Sequence, residues 1–163
     1  MNFLENSGKA LTNMGTFGAY LTAGYDGKFN PMTIGWGQIG ISQGKSVFAV
    51  MVRQSRYTKE LLDKNPVFTV SVPFDTSHKT SLAFCGSKSG RDYDKIKECK
   101  LETVPSKEID VPGISGCMVY ECRVIYKTEM SKEETFPECN EKWYKNGDYH
   151  TVYTGEILNY KEN

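Results

Sequence analysis

Short runs of strand-forming residues separated by turn signals recur along this chain, and the apolar spacing switches to a helical period only briefly. Residues 19–24, A-Y-L-T-A-G, are followed at once by Asp26-Gly27 and then Lys28-Phe29. Asp-Gly between two such runs predicts a hairpin, because both residues tolerate the positive φ of a tight turn. The next segment, 32–41, reads M-T-I-G-W-G-Q-I-G-I and is expected to form one strand. Its glycines at 35, 37 and 40 mark a bulge or a close approach by another backbone or a ligand. Residues 46–53, S-V-F-A-V-M-V-R, are a further apolar strand that ends in a polar cluster. There the period changes. Tyr57, Leu61 and Leu62 fall on one helical face, so 57–64 is predicted as a helix with Ser55 as its N-cap and Asn65-Pro66 as its stop. Residues 67–72 then read as a buried strand.

Asp75 or Thr76 can cap a short helix running to about Cys85, which Gly86 can end. A polar loop leads from there into a second short helix at about 93–99. From Leu101 the pattern is β again: a short strand at 101–104, a connector holding Pro105 and Pro112, and two longer strands at 117–130 and 149–160, rich in Val, Ile, Tyr and Thr. Between these two lies the charged segment 131–148, which contains Trp143 and Tyr144. It is long for a hairpin loop, so it is either a helical insertion or a functional flap. Many short strands, few helices and no βαβ rhythm predict a mainly β (α+β) chain folded as an antiparallel barrel with helical decoration.

Composition narrows the picture further. At 163 residues the chain is expected to be a single domain, 1–163, with a core of its own. It is 39% hydrophobic, 12% aromatic and 25% charged, the balance of an ordinary globular protein. Twenty basic and twenty acidic residues cancel, so the global charge footprint of a nucleic-acid binder is missing. No secretory signal and no membrane-length apolar run is visible. The five cysteines are odd in number and include no C-x-x-C pair, which argues against a disulfide framework and against a zinc site. Cytoplasm is the expected compartment. Cys85 is weighed as a redox thiol against a buried one, and the buried reading is favoured.

Three segments carry candidate chemistry. In R-Q-S-R-Y-T at 53–58, two guanidinium groups and two hydroxyls gather at a strand end that feeds a helix N-terminus. Free N–H groups, the positive end of the helix dipole and fork-shaped cationic donors suit a phosphate, although a Ser-capped helix with solvated arginines fits the same residues. The loop G-S-K-S-G-R-D-Y-D-K at 86–95 can wrap a ligand's polar edge or simply be a solvated surface loop; it lacks Walker A spacing. In N-P-M-T-I-G-W-G at 30–37, small residues let a flat ring lie against main-chain amides beside Trp36, and a glycine-containing barrel strand with a core tryptophan is the competing reading. His78 and His150, the only histidines, sit in no hydrolytic or metal-binding motif and read as surface or packing residues. No G-x-G-x-x-G follows a strand.

Taken in order, N-P-M-T-I-G-W, R-Q-S-R-Y-T, F-C-G-S-K-S-G-R-D-Y-D-K and H-T-V-Y-T-G-E-I resemble the flavin reductase-like family, especially its flavoredoxin-type branch, over about residues 15–160. The resemblance implies an FMN-binding split β-barrel, usually a homodimer with flavin at the subunit interface. It implies that Met32, Thr33, Ile34, Gly35 and Trp36 line the isoalloxazine and ribityl region. Arg53, Ser55, Arg56 and Thr58 would hold the phosphate, and Ser87, Ser89, Gly90 and Lys95 would close over the cofactor. His150 would stand near the reacting face as the candidate catalytic residue. The implied activity is FMN-dependent electron transfer from NADH, NADPH or a reduced carrier to a small-molecule or protein acceptor. Segment 129–148 matches no family pattern. A non-catalytic flavin- or haem-binding barrel is the alternative.

Overall fold

In the computed structural model, which describes residues 2–163, the Asp26-Gly27 turn forms as its residues allow. Both have positive φ, 52° and 73°. They join β1 (Ala19–Tyr25) to β2 (Lys28–Ile34) in unbroken antiparallel register from Tyr25↔Lys28 to Ala19↔Ile34. The expected single strand over 32–41 is two strands. β2 ends at Ile34, and β3 (Gly37–Ser42) pairs instead with β4 (Lys45–Arg53). Gly35 and Trp36 belong to neither ladder, because the chain changes partners there.

Helix α2 occupies Tyr57–Lys64 as its apolar spacing demands, and it buries Thr58, Leu61 and Leu62. Ser55 is not its cap: Arg56 takes that position and makes no side-chain capping bond. β5 (Val67–Pro73) follows, then a 3-10 turn at Thr76–His78 capped by the Asp75 side chain. Helix α3 (Lys79–Ser87) runs through Gly86 rather than ending on it, and α4 is shorter than expected, Lys95–Glu98. A two-stranded sheet of β6 (Thr103–Val104) and β7 (Gly113–Ile114) stands apart. β8 (Cys117–Glu129) and β9 (His150–Glu162) are the long strands, and α5 (Pro137–Trp143) lies between them, so segment 131–148 is a helical insertion. Helix α1 (Ser7–Phe17), for which the sequence reading provides no element, buries Ala10 and Met14 one turn apart and stops at Gly18, φ 86°.

The main sheet has seven strands in the order β2-β1-β5-β8-β9-β4-β3. Its two edges, β2 and β3, are consecutive in the chain with only Gly35 and Trp36 between them. The three Cα steps from Ile34 to Gly37 reach at most roughly 11 Å, whereas a flat sheet of this many strands would hold its edges about 29 Å apart. The sheet therefore rolls up until its edges meet at an unpaired seam, which makes a split barrel. β-bulges in the β8–β9 ladder, at Glu121/Cys122 and Val124/Tyr126, bend the longest pair. Phe48, Val50, Phe68, Tyr120 and Tyr153 fill the interior, each contributing on the order of 2 kcal/mol by burial. Helix α1 covers the barrel near the seam, where an added Cβ at Gly37 would lie 3.1 Å from Met14.

Candidate functional site

Two adjoining clefts lie beside β2, the Gly35-Trp36 link and the β4–α2 junction. The first, of about 200 Å³, is lined by Met32, Thr33, Ile34, Gly35 and Trp36 from the end of β2, by Met51 and Arg53 from β4, and by Arg56, Trp143 and His150. Strand alternation puts Met51 and Arg53 on one face, and the turn into α2 brings Arg56 beside them. A Cβ at Gly35 would meet nothing within 4 Å, so the missing side chain leaves main chain open to the cleft. Trp36 and Trp143 pack edge to face, ring centroids 5.0 Å apart, and Trp36 lies 5.3 Å from the His150 ring.

His150 is buried, and its Nδ1 shares a 2.8 Å hydrogen bond with the Tyr144 hydroxyl. Burial, with Arg53 nearby, lowers its pKa to about 4. The imidazole is therefore neutral near pH 7, with Nε2 the ring nitrogen left without a protein partner.

The second cleft, of about 140 Å³, shares Met32 and Arg56 with the first and adds Ser55, Thr58, Ser87, Ser89, Gly90 and Lys95, together with Asn30, Tyr57, Lys88 and Arg91. Lys95 is buried. Its ammonium donates to the carbonyls of Cys85 (2.9 Å) and Pro31 (3.1 Å) and has no carboxylate partner among the described residues. Burial pushes its pKa down. The first turn of α2 faces the same cleft without a side-chain cap, which leaves N–H groups available there. Five cations line the two clefts, Arg53, Arg56, Lys88, Arg91 and Lys95, and no carboxylate does. In a chain of zero net charge that is a local concentration of positive potential. Of these, and among the described residues, only Arg91 has an acidic partner, Glu60.

The residues expected to bind the cofactor, and His150, all line one cleft or the other, but not in the grouping expected. Of the four expected phosphate ligands, Arg53 lines the first cleft, Ser55 and Thr58 the second, and Arg56 both; the Arg53 guanidinium donates to the carbonyls of Asp148 (2.7 Å) and Trp143 (3.2 Å). Ser55 is held by Asp148, and Thr58 is buried, accepting from Asn30 Nδ2 at 2.9 Å. Gly90 is required by packing, since a Cβ there would fall 2.0 Å from Asn30 Oδ1. Cys85 is buried and its thiol is pushed up to about 12 by that burial, which suits a packing thiol.

Asn30, Tyr57, Lys88 and Arg91 lie within the three candidate segments without being named as ligands, and Met51 and Trp143 lie outside them. Met51 was within reach of strand alternation from Arg53. Trp143 was not, because an insertion far along the chain delivers it. No group of metal-ligating side chains is found among the described residues, and none of their helices is long and apolar enough to cross a membrane.

A sheet rolled into a barrel and open at one seam defines the split-barrel class. The sequence profile of the flavin reductase like domain matches residues 12–163, and the chain belongs to that family. An uncharacterised protein of Archaeoglobus fulgidus is 32% identical over 132 residues, which is 80% of this chain and 64% of that protein, so the chain spans less than two thirds of that relative's length. Flavoredoxin from Methanosarcina acetivorans is similar in structure, with a TM-score of 0.69 and 26% identity over 90% of this chain and 68% of that one. It supports the flavoredoxin-type branch. An FMN-binding protein from Thermus thermophilus has the same fold, with a TM-score of 0.69 and 23% identity over 90% of this chain and 70% of that one.

Proposed function

We propose that the chain is a single flavin-binding domain that holds FMN across the two clefts and passes electrons through it, as an oxidoreductase of the flavin reductase or flavoredoxin type. The observation that carries this is the carboxylate-free, cation-lined pair of clefts beside β2 and the β4–α2 junction. Neither cleft alone reaches the roughly 300 Å³ of a small-molecule site, and the two adjoining clefts taken together do.

The residues present fit such a cofactor. Gly35 and Trp36, outside both ladders, offer open main chain to a planar ring, and the bare glycine leaves room for one. Met32, Thr33 and Ile34 complete that wall. Arg56, Ser87, Ser89, the uncapped start of α2 and the unpaired Lys95 ammonium offer hydrogen bonds and charge to a phosphate. FMN, when bound, would supply the two-electron redox chemistry, while the protein binds and orients it. Arg53 adds positive charge beside the ring cleft. His150, clamped by Tyr144 and neutral, offers a hydrogen bond there rather than a charge.

NADH, NADPH or a reduced carrier is the electron source in this reading. Because both clefts are shallow, a second copy of the chain would complete them in a homodimer with flavin at the interface. Steady-state oxidation of NADH and of NADPH, with and without excess FMN, tests the activity. Turnover that rises with added FMN identifies a reductase that releases its flavin, and turnover independent of it identifies a bound cofactor. No oxidation of either nucleotide, and no reduction of the FMN-loaded chain by reduced ferredoxin, would contradict the reading.

A further inference from the structure

Outside the wall formed by Trp36 and Trp143 lies another cleft, of about 360 Å³, built largely by segment 131–148 and lined by Arg53, Lys142, Trp143, Lys145 and Asp148 among others. Arg53 and Trp143 face this outer cleft and the ring cleft alike. Its three cations outnumber its one carboxylate, Asp148. Lys142 and Lys145 take part in none of the ion pairs among the described residues. The Arg53 side chain bonds only two main-chain carbonyls, out of five N–H donors available. The single carboxylate in the lining, Asp148, accepts from the Ser55 N–H (3.1 Å) and Oγ (2.6 Å). Trp143 supplies an apolar plane that is 45% exposed, with the Lys142 ammonium 5.0 Å from its ring centroid.

The segment is braced rather than loose. Asn140 Nδ2 donates to the carbonyls of Lys132 (3.0 Å) and Thr135 (2.8 Å). Tyr144 stacks on Tyr149 at 4.5 Å and receives the Arg53 guanidinium at 5.2 Å on its ring. A cleft with preformed cations and an aromatic plane, sharing two residues with the ring cleft, suits a ligand that is charged at one end and flat at the other.

We propose that the outer cleft binds the anionic group, phosphate or carboxylate, of the small-molecule substrate whose other end reaches the ring cleft, and that Trp143 packs against its planar part. The assignment of that second end rests on the flavin reading above. Selection for charge then comes from Arg53 together with Lys142 and Lys145, the two lysines standing on a segment outside the family-like motifs.

Calorimetric titration of the FMN-saturated chain with sodium benzoate, inorganic pyrophosphate and uncharged benzyl alcohol tests the site. At least one anion is expected to bind saturably, pyrophosphate alone pointing to a phosphate-bearing substrate and benzoate alone to an aromatic acid. Benzyl alcohol is expected to give no saturable heat. The double variant Lys142→Ala/Lys145→Ala, exposed at both positions, should lose about tenfold or more in anion affinity and keep wild-type FMN uptake by visible absorbance. The chain's two tryptophans both stand at this wall, so anion binding to the FMN-free chain should also change intrinsic fluorescence, and less so in Trp143→Phe. No saturable binding of either anion, undiminished affinity in the double variant, or equal binding of benzyl alcohol would overturn the proposal. Failure to take up FMN is read separately by absorbance and counts against the flavin reading instead.

Discussion

Ser55 donates from Oγ to Asp148 Oδ2 at 2.6 Å and from its main-chain N–H to Asp148 Oδ1 at 3.1 Å. The residue that sequence logic assigns to the start of α2 is thus spent on fastening the far end of segment 131–148 to the strand–helix junction. Ser55→Ala should cost little global stability, within about 1 kcal/mol for an exposed pair, yet loosen the segment locally. Hydrogen exchange should speed up over 131–148 and remain unchanged in β5 and β8; uniform protection in the variant would show that the contact is not an anchor.

Two glycines separate ligand space from packing. At Gly155 an added Cβ would lie 2.6 Å from Phe68 Cζ and 2.9 Å from Cys122 Cβ, so Gly155→Ala overpacks the barrel and should cost about 1–3 kcal/mol in urea unfolding. At Gly35 it meets nothing. Gly35→Ala should unfold within about 0.5 kcal/mol of wild type while weakening FMN binding. Equal affinity in that variant would remove Gly35 from the cofactor wall.

Burial of His150 gives stability a pH dependence whose sign follows from its lowered pKa, about 4 in the fold against 6.5 unfolded. Between these values the unfolded chain binds a proton that the folded chain refuses, so stability is complete above about pH 6.5 and falls as pH drops toward 4, by on the order of 3 kcal/mol. His78, also lowered by burial, acts in the same direction. Unfolding free energies at pH 7 and pH 4.5 should differ less in His150→Gln than in wild type. An unchanged difference would mean that His150 is not the group responsible.

Much of the fold was legible because its signals are local. Asp26-Gly27 announces its turn, Tyr57, Leu61 and Leu62 announce α2, and Val- and Tyr-rich runs announce β8 and β9. Helix α1 was not legible: its buried pair, Ala10 and Met14, sits among Gly8, Gly15 and polar residues that dilute the helical signal. The break at Gly35-Trp36 was hidden for a different reason, since a strand that changes partners keeps the composition of a strand. In the site, the motif residues were readable singly, and their division between two clefts was not. Arg53 lines the first cleft with Trp143 rather than the second with Ser55 and Thr58, where segment 131–148 folds back onto it, a tertiary event that no local pattern encodes.

The flavin site is tested most directly by titrating the purified chain with FMN, following visible absorbance and flavin fluorescence, in wild type and in Lys95→Met. Wild type should saturate at one FMN per chain. Lys95→Met leaves the Cys85 and Pro31 carbonyls without their shared donor and removes the buried cation, so it should bind FMN about 10–100-fold more weakly while still unfolding cooperatively. A wild-type chain that takes up no FMN, or a folded Lys95→Met that binds it as tightly as wild type, would contradict the assignment.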